Sequence, residues 1–227
     1  MDLSSINCEI INEDCDAHFN YKVIIVGDAG VGKSCINSRI IKNTFDTNYA
    51  PTIGFEYTHL FMKANDKIIK LSLWDTCGQE IYRSLVSSFY RNGAFAILVY
   101  AINNRESFDN LEGWLNDIRT SGSVDVKMFL IGNKKDLEEN RVVTYEEGER
   151  FAKEHGFIQF FETSAMTGAN VKDVFVQIGK ASYLLPLEED KSGNRSDMMD
   201  NIKGYADFGG NDENGNNYDK MKGRGCC

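Results

Sequence analysis

Short apolar runs alternate with helical patterns between residue 21 and about residue 185. This alternation is typical of a parallel sheet whose strands are connected by crossover helices. The second and third runs are separated by only four residues, so we predict a hairpin with one antiparallel edge strand. The pattern predicts an α/β fold with flanking helices and a mixed, mostly parallel six-stranded sheet. Its predicted strands are residues 22–26, 56–63, 68–74, 94–102, 127–132 and 159–162.

Helical patterns and a change of composition divide the chain. Thr144 and Glu147 have the spacing of a capping box, and apolar residues recur at helical intervals from Val171 to Ile178. After Pro186 the chain is rich in Asp, Asn, Gly and Lys, and it cannot bury enough apolar surface to offset the entropy of ordering. We therefore predict three regions: an acidic N-terminal extension (1–20), one folded domain (21–185) and a flexible tail (186–227).

Composition and charge argue against several classes of protein. A net charge of -9 argues against a protein that mainly binds nucleic acid, because that role needs a basic face. The first residues lack the basic and apolar regions of a secretory signal, and the longest apolar run is far shorter than the ~20 residues that span a bilayer. We expect a reducing compartment, in which Cys8, Cys15, Cys35 and Cys77 are free thiols.

A phosphate-binding motif follows the first predicted strand. Residues 27–34 match G-x-x-x-x-G-K-S/T in the strand–loop–helix context that the motif requires. Glycines let successive N–H groups point at phosphate oxygens, and the next helix adds its positive end. Lys33 is predicted to neutralise the β- and γ-phosphates, and Ser34 to bind Mg²⁺. The predicted contacts are Asp28, Ala29, Gly30, Val31, Gly32, Lys33, Ser34 and Cys35.

The identity of the nucleotide base is predicted from residues 132–136, which lie at the end of another predicted strand. A carboxylate at Asp136 can accept from the N1–H and the exocyclic amine of guanine, whereas adenine lacks this donor pair. The segment Asn133-Lys134-Lys135-Asp136 resembles the N/T-K-x-D motif of Ras-superfamily GTPases. The resemblance implies that residues 21–185 form a GTP-binding domain, in which Asn133 contacts the base and Lys134 braces the nucleotide.

Further base contacts are implied by the same resemblance. Residues 162–165 are similar to the second base-recognition loop of the family, which assigns base contacts to Ser164 and Ala165. Phe45 matches the aromatic residue that packs beside the base. Met166 stands where the family usually has lysine, and we expect an altered affinity because methionine can still pack on an apolar face.

The segment 74–80 resembles the family motif W-D-T-A-G-Q-E. The resemblance implies that Asp75 holds Mg²⁺ through a water, that the Gly78 N–H contacts the γ-phosphate, and that Gln79 orients the attacking water. Thr52 matches the threonine that joins Mg²⁺ only in the GTP state, so loss of the γ-phosphate would relax both segments. Cys77 replaces the usual alanine, either as a small packing residue or as an oxidisable thiol.

Several stretches resemble the Rab branch of the superfamily, namely residues 53–57, 70–75, 81–85 and 89–94. The chain ends in Cys226 and Cys227, which resembles the Rab double-cysteine terminus and implies two prenyl chains. The resemblance implies a switch in vesicle trafficking on the cytoplasmic face of intracellular membranes, with a soluble cytosolic pool. It also implies a GTPase-activating protein, an exchange factor, effectors, an escort protein and a GDP-dissociation inhibitor as partners.

Three alternatives stay open from the sequence. A small-molecule kinase that uses ATP shares the phosphate loop, but residues 75–80 and 133–136 argue against it. A scaffold that binds nucleotide without hydrolysis is compatible with Met166 and Cys77, whereas Gln79 disfavours it. Another branch of the Ras superfamily is the third alternative.

Overall fold

The computed structural model describes residues 3–46, 52, 54–78, 90–123 and 125–192. By internal contacts the chain divides into Met1–Glu188 and Glu189–Cys227, and the first unit holds the whole sheet. Of the second unit, only the residues up to Ser192 are described.

The sheet has seven strands in the order β1-β3-β4-β2-β5-β6-β7. Strands β2 and β4–β7 pair in parallel, whereas β3 is antiparallel to both of its neighbours, β1 and β4. The predicted α/β fold with a mostly parallel sheet, flanking helices and a hairpin is thus confirmed. The strands are β1 (Cys8–Ile11), β2 (Phe19–Val26), β3 (Phe55–Ala64), β4 (Lys67–Thr76), β5 (Phe95–Ala101), β6 (Lys127–Asn133) and β7 (Gln159–Glu162).

The prediction of six strands was wrong, because the N-terminal extension supplies β1. Cys8 pairs with Ala64 and Ile11 pairs with Phe61, so β1 extends the hairpin and β3 is not an edge strand. The Asn7 N–H donates to the Asn65 side chain at 3.1 Å, which fixes the start of the pairing. Only four residues long, β1 lacks the alternation that identifies a half-buried strand in sequence.

Strand β1 also lies against the last helix. Cys8 and Ile10 point towards the core on the same side as Met62. A Cβ on Gly179 would lie 2.7 Å from the sulfur atoms of both Cys8 and Met62. Glycine at this position therefore allows the close approach of the helix to the sheet, and β1 of the extension packs against the core.

The half-buried position of Cys8 predicts a pH effect on stability. Burial raises the pKa of the Cys8 thiol from 9.0 to about 11, so the unfolded chain loses this proton before the folded one does. The contribution of the neutral thiol is present below pH 9 and is lost as the pH rises towards 11. Between pH 8.5 and 10.5, the free energy of unfolding, measured in urea, should fall less in Cys8→Ala than in the parent. Cys15→Ala is the control, and an equal fall in all three proteins would contradict the assignment.

Five α-helices and one 3-10 helix of the described chain flank the sheet or connect its strands. The predicted capping box lies at the start of the helix Tyr145–Glu154 and is confirmed. The Glu147 N–H donates to Thr144 Oγ1 at 3.2 Å, and the Thr144 N–H donates to Glu147 Oε2 at 2.8 Å. The last helix continues past Pro186, where the predicted tail begins, and the tail from residue 193 lies outside the described residues. The helices are α1 (Lys33–Lys42), α2 (Arg105–Asp109), α3 (Leu111–Ser121), the 3-10 helix (Lys135–Asn140), α4 (Tyr145–Glu154) and α5 (Val171–Ser192).

Two apolar clusters cover the two faces of the sheet. Along β2, Val23 and Ile25 belong to one cluster, which includes residues of α1 and α5, while Ile24 and Val26 belong to the other, which includes residues of α3 and α4. Burial on both faces explains why the central strands are continuous apolar runs. Because β2, β4, β5 and β6 run in parallel, the carboxyl ends of β2, β4 and β6 lie at one edge of the sheet, where open α/β sheets bind ligands.

No helix of the described chain combines the length and the apolar character that crossing a membrane requires. The four described cysteines, Cys8, Cys15, Cys35 and Cys77, are unpaired, as predicted.

Candidate functional site

A cavity of about 560 Å³ lies beside the loops that follow β2, β4 and β6. It is lined by most of the residues that the sequence predicted for nucleotide and metal binding. The lining also includes Asp46, Thr76 and Leu137, which the sequence did not predict. The predicted residues that line it are Ala29, Gly30, Gly32, Lys33, Ser34, Cys35, Phe45, Thr52, Gly78, Asn133, Lys134, Asp136, Ala165 and Met166.

The loop after β2 has the backbone of an anion-binding turn. Gly30 and Gly32 have φ values of 75° and 97°, which other residues rarely adopt. A Cβ on Gly32 would also overlap the side-chain amide of Asn133. The loop leads directly into α1, whose first residues, Lys33 and Ser34, line the cavity, so the positive end of the helix faces it. No acidic residue in the first turn offsets this positive end.

Lys33 is the cation of this loop. Its side chain is buried, with 5% exposed, and its ammonium group donates to the carbonyl oxygens of Gly27 and Asp28 at 2.8 Å each. Burial lowers the pKa of Lys33 to about 8, although Asp75 and Asp28 oppose the shift. An ammonium held under these conditions gains most from an anion in the cavity, because the anion would replace the lost hydration.

Three side-chain oxygen atoms that could bind a metal ion meet beside the loop. Ser34 Oγ donates to Asp75 Oδ2 and lies 2.8 Å from Thr52 Oγ1. Asp75 is fully buried, burial raises its pKa to about 6, and within the described chain its Oδ1 has no hydrogen-bond partner. An unpartnered buried carboxylate oxygen is costly, and hydroxyl and carboxylate oxygens suit a hard divalent cation. The donor set therefore fits Mg²⁺.

The two segments predicted to sense the γ-phosphate both contact this region. Thr52 lies beside Ser34, as described above. A Cβ on Gly78 would overlap the Ala29 nitrogen and the Lys33 ammonium group, so glycine allows this segment to lie against the phosphate loop. The Cys77 N–H also donates to the Gly54 carbonyl at 3.0 Å, which connects the two segments.

The cavity is also lined by residues that were predicted to recognise the base, among them Asn133 and Asp136. Asp136 Oδ1 accepts from Ser164 Oγ at 2.5 Å, so Ser164 orients the carboxylate rather than lining the cavity. Asn133, the last residue of β6, connects two loops: its oxygen accepts from Thr163 Oγ1 and from the Ala165 N–H, and its amide donates to the Val31 carbonyl at 2.9 Å. Val31 thus takes part through its carbonyl and does not line the cavity.

The comparison with known families agrees with this arrangement. Residues 22–183, more than half of the chain, match the model of the Ras family. The chain belongs to the Ras family. It is therefore a small GTPase switch with a Ras-like G domain, of a family that binds guanine nucleotides and hydrolyses GTP.

One predicted residue of this Ras-family chain points away from the cavity. The carboxylate of Asp28 accepts from Trp114 Nε1 at 2.7 Å and from Asn110 Nδ2 at 2.8 Å. The side chain therefore faces α3, and any contact with nucleotide falls to the backbone of Asp28. Gln79 lies outside the described residues, so its predicted catalytic role stays a prediction.

The departures from the family motifs are accommodated without disruption. Cys77 is 2% exposed and packs in the apolar cluster that contains Tyr90, which favours a packing role over an oxidisable thiol. Met166 is 55% exposed at the mouth of the cavity, where Phe45 and Leu137 provide further apolar surface. The sequence predicted Met166 and Phe45 as site residues. It did not predict Leu137, which could have been found only by its position next to Asp136.

Arg39 is a site residue that the sequence analysis missed. From α1 it donates to the carbonyl oxygens of Ala165 at 2.8 Å and Met166 at 2.7 Å, and it also donates to the Asn43 carbonyl at 2.9 Å. The guanidinium thus fixes the base-recognition loop to the helix that begins at the phosphate loop. Nothing in the local pattern of α1 distinguishes Arg39 from a solvent-facing arginine.

We expect Arg39→Ala to release GDP about tenfold faster than the parent, because the loop loses two charge-assisted hydrogen bonds. Such bonds contribute about 1.5–3 kcal/mol each. The contribution is smaller here, because the bonds are partly exposed to solvent. The release of a fluorescent GDP analogue measures the effect. Arg119→Ala is the matched control, since Arg119 donates to the His155 carbonyl, outside the cavity. Equal rates for the three proteins would show that Arg39 does not hold the loop.

Proposed function

We propose that the chain is a Rab-type switch, which cycles between GDP and GTP forms on intracellular membranes and regulates vesicle trafficking. One observation carries the switch mechanism: the Thr52 and Gly78 segments both contact the phosphate loop beside Lys33. A γ-phosphate bound there would touch both segments at once. Its loss would remove those contacts, and partners could then distinguish the two forms.

The residues have separate roles in hydrolysis. The loop amides and Lys33 hold the phosphates, and Gln79 orients the attacking water. Ser34 and Thr52 would hold Mg²⁺ directly and Asp75 through a water. When bound, the ion supplies positive charge that offsets the charge developing on the phosphate oxygens.

Intrinsic hydrolysis should be slow. Among the described residues that line the cavity there is no arginine to stabilise the transition state. We therefore propose that a GTPase-activating protein inserts an arginine, a contribution worth about 10³- to 10⁵-fold in rate in this reaction class.

Single-turnover phosphate release tests the enzyme against the non-hydrolysing scaffold. Purified protein loaded with GTP should release phosphate slowly, and Gln79→Leu should lower that rate by at least about tenfold, because water positioning is lost. Nucleotide binding should persist in the variant, and ATP should not compete for the site. Equal rates for parent and variant, or no phosphate release from the parent, would favour the scaffold.

The Rab assignment and the membrane location rest on sequence. Residues 53–57, 70–75, 81–85 and 89–94 resemble Rab proteins, and Cys226 and Cys227, outside the described residues, offer two sites for prenyl chains. Two lipid anchors give stable attachment, whereas one gives only reversible binding. An escort protein, an exchange factor, effectors and a GDP-dissociation inhibitor complete the proposed cycle.

Cell fractionation tests this location. Tagged protein should divide between endomembranes and cytosol, and a variant with both Cys226→Ser and Cys227→Ser should be wholly cytosolic. Serine at only one of these positions should weaken membrane retention without abolishing nucleotide binding. A double variant that stays on membranes would exclude prenylation as the anchor.

A further inference from the structure

Asp28 is an unexpected residue in a loop that binds phosphate. It follows Gly27 directly, within the segment whose amides are predicted to face phosphate oxygens. A carboxylate beside phosphate oxygens raises the free energy of the bound state through like-charge repulsion, unless its charge is directed elsewhere.

The structure directs that charge to the back of the loop. Trp114 Nε1 and Asn110 Nδ2 donate to separate oxygens of the Asp28 carboxylate, at 2.7 Å and 2.8 Å. These are charge-assisted bonds, which are roughly twice as strong as neutral ones. Both donors belong to α3 or to its N-cap, and neither they nor Asp28 line the cavity.

The donors are themselves fixed. Trp114 is 1% exposed and lies in the apolar cluster beside β2 and β5. Asn110 sits at the junction of α2 and α3, where its N–H donates to the Glu106 carbonyl at 2.9 Å. A carboxylate bound to these two groups cannot move without breaking its bonds to a packed helix.

The backbone of Asp28 is held by a hydrogen bond as well. Its carbonyl oxygen accepts from Lys33 Nζ at 2.8 Å, so the same residue is bound by α3 through its side chain and by the loop cation through its backbone. Rotation of this peptide would displace the Lys33 ammonium group from its position. The loop conformation and the position of its cation are thus coupled to α3.

We propose that Asp28 is a positioning residue: with Trp114 and Asn110, it fixes the phosphate loop to α3 and slows the release of nucleotide. The proposal rests on the proposed function only in requiring that the cavity bind GDP. It assigns to Trp114 and Asn110 a role in nucleotide retention, although neither residue lines the cavity.

Release of a fluorescent GDP analogue from four variants tests the tether. Asp28→Ala should release GDP about tenfold faster than the parent, and Trp114→Phe and Asn110→Ala about three- to fivefold faster, since each loses one charge-assisted bond. The double variant Asp28→Ala/Trp114→Phe should be no faster than Asp28→Ala, because residues that share one bond are not additive. Additive effects, or release at the parental rate in Asp28→Ala, would overturn the proposal.

Asp28→Asn separates the tether from simple charge repulsion. The variant removes the charge and keeps the shape, but its amide nitrogen would face one of the two donors. Repulsion as the main effect predicts slower release of GDP from Asp28→Asn, whereas the tether predicts faster release. Slower release would overturn the proposal.

Tryptophan emission gives a readout that loss of stability alone would not produce. The chain has two tryptophans, so Trp74→Phe leaves Trp114 as the single emitter. In that background, Asp28→Ala should shift the emission of the folded, GDP-bound protein because the indole N–H loses its carboxylate acceptor. An unchanged spectrum would contradict the bond.

Glu112→Ala is the matched control, since Glu112 is an exposed acid on the same helix, and its release rate should equal that of the parent. Failure of the parent itself to bind GDP would refute the proposed function instead. Parental binding with no effect of Asp28→Ala refutes only the tether.

Discussion

Replacing Asp136 with asparagine is expected to change the base that the cavity accepts from guanine to xanthine. Guanine offers two adjacent donors, N1–H and the 2-amino group, which suit the two oxygens of a carboxylate. Asparagine offers one acceptor and one donor, and it matches xanthine, which has a carbonyl at position 2. With two charge-assisted bonds at about 1.5–3 kcal/mol each, GTP affinity should fall roughly 10²- to 10⁴-fold.

Competition between GTP and xanthosine triphosphate for the labelled protein measures this exchange. Ser164 Oγ can still donate to the side-chain oxygen at position 136, so the base-recognition loop keeps its support in the variant. Glu139→Gln is the matched acid-to-amide control, because Glu139 is exposed on the same 3-10 helix and does not line the cavity. A variant that still prefers GTP would show that Asp136 does not contact the base.

The fold was predictable where burial on two faces leaves a continuous apolar run. Strand β5, in which every residue is buried, is evident from composition alone. Strand β1 was missed because its stability comes from pairing with residues more than fifty positions away, as the bond between Asn7 and Asn65 shows. Tertiary context, rather than local propensity, makes this segment a strand.

The site was predictable as far as backbone chemistry determines it. The phosphate loop needs glycines with positive φ and a lysine at a set distance, and such a pattern survives in the sequence. The sequence does not reveal the directions of the Asp28 and Arg39 side chains, because their hydrogen-bond partners lie 86 and 126 positions away. Motif spacing therefore identified the cavity, while its supporting contacts came only from the structure.

Loss of the Lys33 ammonium group should cost more than loss of any supporting contact. Lys33→Ala is expected to lower the affinity for GDP and GTP by about 10²- to 10⁴-fold, because removing one partner of a buried charge pair costs about 3–5 kcal/mol. Lys33→Arg should not restore binding, since the planar guanidinium is too large for the space between the Gly27 and Asp28 carbonyls and Gly78. Equilibrium titration with a fluorescent GDP analogue measures both variants.

The same substitution should leave the nucleotide-free protein folded, and this separates binding from stability. Burial disfavours the charged form of Lys33, as its lowered pKa of about 8 indicates, so the empty loop gains little from the ammonium group. The unfolding temperature without nucleotide should therefore change little in Lys33→Ala, since the two hydrogen bonds that are lost offset only part of the cost of burying the charge, while the stabilisation by added GDP should vanish in the variant. Lys172→Ala, at an exposed position of α5, should keep that stabilisation. If GDP stabilised Lys33→Ala as much as the parent, the phosphates would have to bind without this cation.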